Sequence, residues 1–119
     1  RRPGGAVAAR IAEVGEDSIC TSIVVAAELR YGAAKSDSQR LSERVGLLLS
    51  ALEILPLEPP ADEHYVQIRH HLARQGTPIG PNDLLIAAQA LAADLTLVSA
   101  NTREFERVPS LRVKNWLLA

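Results

Sequence analysis

A chain of 119 residues, 47% hydrophobic but only 3% aromatic, holds material for one sizeable core built of Ala, Leu, Val and Ile. At this size roughly 65% of the unfolded surface is buried on folding. A formal net charge of −1 excludes a whole-molecule field that draws the protein to nucleic acid, though not a local basic groove. The lone Cys20 excludes an intrachain disulfide and a thiolate-only metal site and fits a reducing cytoplasm. No apolar run reaches the roughly 18 residues of a membrane span, and no signal peptide is read. The chain opens Arg1-Arg2-Pro3 and contains no Met, so the true N-terminus is expected to lie upstream.

In chain order, Arg1 to Gly15 reads as a short amphipathic helix, with Ala6, Val7, Ile11 and Val14 on one side. Asp17 to Thr21 reads as a brief strand. Ser22 suits the cap of a helix from Ile23 to about Ala34. After the polar break Ser36-Asp37-Ser38, a helix from Gln39 to Leu52 places Leu41, Val45, Leu48, Leu49 and Leu52 at three-and-four spacing. Ile54 to Leu57 is a short strand, and Pro56 marks it as an edge. Ala61 to Gln75 is an amphipathic helix that stops at Gly76.

Gly80-Pro81 then opens a helix running to Ala93. Proline suits the first helical position because its missing N–H is one that no carbonyl of the helix needs. Beyond Asp83 this helix is apolar on every side and is expected to be buried all round. Leu95 to Ser99 is expected to be a fully buried strand, Arg103 to Glu106 one helical turn, and Leu111 to Val113 a last strand before Asn115-Trp116. Strands alternating with helices imply an α/β fold on a parallel sheet covered on both faces, and no repeat or second domain interrupts it. In such sheets function sits beyond the carboxyl ends of the strands, which singles out Thr21-Ser22 and the stretch Ser99 to Arg103.

Three polar residues do not match their surroundings. Glu28 shares a helical face with Val24, Val25, Tyr31 and Gly32, an apolar arc where an acid wants a partner or a metal; the plainer reading is a solvated Glu on a helix whose core face lies elsewhere. Asp83 is either an acid complementing its helix dipole or a ligand, and its face continues in the small residues Ala87 and Ala90. Asn101 follows a strand within Ser99-Ala100-Asn101-Thr102, where a turn residue is equally natural. Together they offer hard oxygen donors, which suit Mg²⁺ or Mn²⁺ and not zinc.

Other constellations are weaker. His64 and His71 share a face but lack a third ligand, so surface histidines are expected. Arg69, His71 and Arg74 either meet phosphate or merely solvate their helix. No glycine-rich phosphate loop follows a strand, Cys20 reads as core, and Ser22 lacks the strained setting of a hydrolase nucleophile.

The stretches Thr21-Ser22-Ile23-Val24-Val25-Ala26-Ala27-Glu28-Leu29-Arg30-Tyr31-Gly32, Gly80-Pro81-Asn82-Asp83-Leu84-Leu85-Ile86-Ala87 and Asn101-Thr102-Arg103-Glu104-Phe105 closely resemble the PIN-domain ribonucleases. Within that family they look like the VapC toxins of bacterial toxin–antitoxin pairs. The resemblance spans about Ser18 to Trp116, and the ordered set of three motifs is what makes it specific. It implies a three-layer α/β/α PIN-like fold and cleavage of RNA dependent on Mg²⁺ or Mn²⁺. It also implies a cytoplasmic homodimer and a cognate VapB-like antitoxin whose C-terminal segment blocks the active site.

By the same resemblance, Glu28 matches the acid of the family's Glu-Leu-x-x-Gly stretch and Asp83 the acid opening its penultimate long helix. Asn101 falls where many relatives carry a fourth acid, members with this variant use Asn or Thr there, and Glu104 stands close enough in sequence to substitute. The family's first strand ends in Asp-Thr-Asn, whose Asp is the first metal ligand. No such segment occurs here, and Arg1-Arg2-Pro3 matches the position just after it. The chain is therefore expected to be one PIN-like domain over residues 1–119, N-terminally incomplete, with a central strand missing and two sheet edges exposed.

The chemistry implied is metal-assisted phosphodiester hydrolysis, with Glu28 and Asp83 as ligands and Asn101 orienting water or a ligand through its oxygen. Thr21, Ser22, Ser99 and Thr102 are expected to brace these groups by hydrogen bonds, and Arg103 to meet phosphate. The competing reading is a catalytically inactive PIN-like module that binds an antitoxin or RNA. A doubly wound signalling domain would need a phosphoacceptor Asp just after a strand, and no strand read here ends that way.

Overall fold

The computed structural model describes residues 13–15 and 19–115. Most of the expected opening helix, the start of the first expected strand and Trp116 lie outside the described residues. The chain divides into two compact units, Arg1–Pro56 and Leu57–Ala119.

In the first unit, strand β1 (Cys20–Ser22) leads directly into helix α1 (Ile23–Ser36). Ser22 makes that junction: its extended backbone ends the strand, and its Oγ accepts the Val24 N–H at 3.0 Å, a helix N–H with no carbonyl of its own. The helix runs two residues past Ala34 and stops where Asp37 takes a left-handed conformation (φ 56°). Ser38 then caps α2 (Gln39–Ser50) by accepting the Leu41 N–H at 3.1 Å. The two helices pack against each other, with Ala26, Ala33 and Leu49 buried. Strand β2 (Glu53–Leu55) ends at Pro56 and pairs with β1 in parallel, Cys20 opposite Glu53 and Ser22 opposite Leu55.

The second unit is built on α3 (Ala61–Gln75) and α4 (Pro81–Ala92). Gly76 ends α3 at φ 71°, where a residue with a Cβ is strained. The two helices pack together, and Ala87 and Ala88, fully buried, let them approach closely. Ile68, Leu72, Leu84 and Ile86 fill the remaining core, each worth about 1.5–3 kcal/mol on burial. Six of the twelve residues of α4 are buried, as its apolar sequence anticipates. Beyond it, β3 (Leu97–Val98) pairs in parallel with β4 (Val113–Lys114), and α5 (Thr102–Phe105) lies between them in the chain. Phe105 and Val108 anchor that segment in the core.

The α/β character with parallel strands is as expected, and the described strands form two two-stranded pairs, one in each unit. One detail differs. β3 is not the fully buried strand that Leu95 to Ser99 suggested: only Leu97 and Val98 are extended, and Val98 is 40% exposed. Among the described residues β3 has β4 as its single ladder partner, so one edge and much of its surface stay open. No helix among the described residues is long and apolar enough to cross a membrane.

Candidate functional site

The first turn of α4 and the turn after β3 meet in the second unit. Gly80 is the N-cap of α4, contributes no side-chain cap and puts Pro81 at the first helical position. Asp83 follows in the first turn, half-buried, with Leu84 anchored in the core beside it. The free N–H groups at this helix end favour a negative charge there. A Cβ on Gly80 would meet Asp83 Oδ2 at 3.8 Å, an ordinary contact, so the glycine is not needed for space.

The facing turn is shaped by Ser99, whose Oγ accepts the Asn101 N–H at 3.0 Å and folds the chain from β3 into α5. Asn101 then reaches both acids. Its Nδ2 donates to Asp83 Oδ2 at 3.2 Å and to Glu104 Oε2 at 2.9 Å. With two carboxylates as neighbours, only the amide nitrogen satisfies both sides. Asn101 thus presents its amide nitrogen to the acids.

Glu104 is the residue whose role the structure enlarges. A hydrogen bond with the Asp83 side chain, then one with the Asn101 amide, hold its carboxyl below the ordinary value; slight burial opposes them, and the Arg107 guanidinium adds to them. Thr102 begins α5, and its carbonyl accepts the Glu106 N–H at 2.8 Å. Arg103 is exposed on the same short helix.

The structure therefore brings together Asp83, Asn101 and Glu104, with Ser99 and Thr102 holding the turn. Thr21, Ser22 and Glu28 belong to the first unit. Ser22 is occupied as the cap of α1, and Thr21 lies in β1 opposite Ile54. Glu28 is exposed: the buried side of α1 is Ala26 and Ala33, so the apolar arc around Glu28 is not the core face. Cys20 is half-buried, and burial, then the charge of Glu53, push its thiol up, the opposite of a nucleophile's shift.

Among the described residues no three His, Cys, Asp or Glu side chains converge as a metal site. The second unit supplies two carboxylates and an amide. That donor chemistry fits Mg²⁺, which keeps several waters and takes one or two protein carboxylates plus substrate oxygens.

The family model described as the PIN domain matches residues 1–111. The tRNA(fMet)-specific endonuclease VapC of Salmonella typhimurium is 43% identical over 99 residues, 82% of this chain and 75% of its own. Ribonuclease VapC2 of Haemophilus influenzae is 45% identical over 100 residues, covering 83% of this chain and 76% of its own. Among solved structures, DNA-bound VapBC from Salmonella typhimurium superposes with a TM-score of 0.85 at 38% identity, covering 93% of this chain and 84% of that one.

Proposed function

Since the chain belongs to the PIN-domain family, and within it to the VapC-type toxins, we propose that the Asp83–Asn101–Glu104 cluster is its catalytic centre for hydrolysing RNA phosphodiester bonds. The observation that carries this is the pair of hydrogen bonds, 3.2 and 2.9 Å, by which one amide draws two carboxylates together at a helix N-terminus. Asp83 and Glu104 are the residues that hold a divalent cation, Mg²⁺ or Mn²⁺. When bound, such a cation lowers the pKa of a coordinated water and neutralises charge on the phosphoryl oxygens.

The chain's own contribution is to fix this geometry in advance. Ser99 sets the turn, Phe105 anchors it, and Asn101 holds the two acids at a spacing they would otherwise resist by charge repulsion. The α4 dipole offsets part of the negative charge gathered there. Arg103 is exposed beside the cluster in sequence and is assigned to a substrate phosphate. Glu28 is read as a further carboxylate of the same reaction on the strength of its motif, Glu28-Leu29-Arg30-Tyr31-Gly32, with Thr21 and Ser22 bracing the start of its helix. The chain works as one PIN-like domain in the cytoplasm, as a homodimer.

The test is RNA cleavage by the full-length protein with Mg²⁺. Asp83→Asn is expected to lower the rate by at least about 100-fold, the scale of losing one preorganised charge-stabilising group. Unimpaired cleavage by that variant would sink the assignment. A full-length wild type that cleaves no RNA leaves the inactive binding module as the reading.

A VapB-like antitoxin is the partner this reading requires, and several solved relatives are VapBC pairs. The first unit supports it with a band of large apolar side chains left open on α1 and α2: Tyr31 is 69% exposed and Leu47 72%. Such residues are costly to leave in water unless a partner covers them. Leu47→Asp is expected to abolish co-elution with the antitoxin; retained co-elution would move the interface elsewhere.

A further inference from the structure

The second unit carries a cavity of about 450 Å³ that the acid cluster does not use. One wall is Tyr65 and Arg69, a turn apart on α3. They form a single preassembled surface: Arg69 Nη1 donates to the Tyr65 hydroxyl at 2.9 Å, and the guanidinium carbon lies 5.9 Å from the ring centroid. The other wall includes Pro81 and Leu84, from the same first turn of α4 that bears Asp83. Cavity and acid cluster thus share the first turn of α4.

A second cation links the two. Arg107 Nη1 donates to the Pro78 carbonyl at 3.2 Å, and Pro78 lines the cavity. The backbone N–H of Arg107 donates to the Glu104 carbonyl at 3.1 Å, so Arg107 reaches from the segment that bears Glu104 to the rim of the cavity. The chemistry changes accordingly across this face, from carboxylates through one guanidinium to an apolar hollow floored by an aromatic ring and a second guanidinium.

Single-stranded RNA presents matching groups. Its unstacked bases lie on aromatic rings or guanidinium planes, and its phosphates seek cations. The hollow falls in the size range of small-ligand pockets, ample for a base with its ribose. We propose that this cavity seats a nucleobase next to the scissile phosphate, stacked on the Tyr65–Arg69 pair, with Arg107 meeting the intervening phosphate. This rests on the ribonuclease reading above and adds to it a determinant of which nucleotide is accepted.

The test is steady-state cleavage of a short unstructured RNA oligonucleotide by the full-length protein. Tyr65→Leu is expected to raise KM roughly 5- to 100-fold, the fold-change equivalent to losing one base–aromatic stack, with kcat nearly unchanged. Tyr65→Trp keeps a flat face and should stay near wild type. Arg69→Gln is expected to raise KM less and to flatten its salt dependence. Unchanged KM in both Tyr65→Leu and Arg69→Gln overturns the proposal, as does a change confined to oligomeric state. Should Tyr65→Leu fail to fold, the exposed Arg69 decides alone. If the wild type cleaves nothing, the ribonuclease reading falls, and fluorescence anisotropy of the same labelled oligonucleotide judges the cavity: weaker binding by the Tyr65 or Arg69 variants supports it, equal binding overturns it.

Discussion

Helices α1 and α4 are near twins in sequence. Each is rich in Ala, Leu, Val or Ile and carries one acid, Glu28 or Asp83. Their surroundings differ sharply. α4 buries six of its twelve residues, whereas α1 buries two of fourteen, Ala26 and Ala33. Asp83 sits in a first turn, where the helix end favours its negative charge and Asn101 donates to it. Glu28 sits in mid-helix, exposed, without the field of a helix end. Two apolar helices therefore do unequal jobs. One is a core element that fixes an acid in place, and the other presents its acid and its large side chains at the surface.

The largest effect that separates them concerns stability. Leu84 and Leu29 each neighbour the helix's acid in sequence, but Leu84 is 7% exposed and Leu29 37%. Leu84→Ala is expected to cost about 2–5 kcal/mol, by lost burial plus the cavity left behind. Leu29→Ala should cost less than about 1 kcal/mol. Urea unfolding of the two variants measures both, and equal losses would show that α1 is packed as tightly as α4.

Next in size is the positioning of the acids. Asn101→Ala removes the donor that spans Asp83 and Glu104 but touches no buried group. A loss of about 10- to 100-fold in RNA cleavage is expected, the range for a group that orients a ligand without being one. Little change in Tm should accompany it. Glu28→Gln on the other helix is expected to lose rate on the scale of Asp83→Asn, as a working carboxylate does; a wild-type rate would make the exposed Glu28 a bystander.

These variants also show why parts of the molecule are readable from sequence and parts are not. Local signals carry well: Ser22 as a cap, Ser36-Asp37-Ser38 as a break between helices, Gly76 as a helix stop and Pro81 as a helix start are all where their own backbone chemistry puts them. Burial is less local. The apolar arc around Glu28 has the right period for a core face, yet which side of a helix is buried depends on what packs there. The strand at Leu95 to Ser99 fails for the same reason, since an apolar run says that a strand could be buried and not that it has two ladder partners. At the site, motif matching finds Asp83 and Asn101 but cannot tell which end of an amide faces the acids. The two carboxylates decide that, and they make Glu104 a principal residue.

The smallest effect tests the open edge of the first unit. Cys20 stands directly opposite Glu53 across the β1–β2 ladder, and its thiol is pushed up, chiefly by burial and secondly by that carboxylate. Alkylation requires the thiolate. At pH 8 the folded protein should therefore react more slowly with iodoacetamide than a free cysteine does, and Glu53→Gln should recover only part of the difference, because burial is the larger cause. The sign for stability follows from the same shift. Below the ordinary value of 9.0 the thiol is protonated in both states and contributes nothing that varies with pH. Above 9.0 the unfolded chain loses its proton first, so stability falls with rising pH until the folded thiol also ionises. Were Cys20 to react as fast as free cysteine, β1 would be as open to water as the exposed face of α1, and the first unit would lack a protected strand pair altogether.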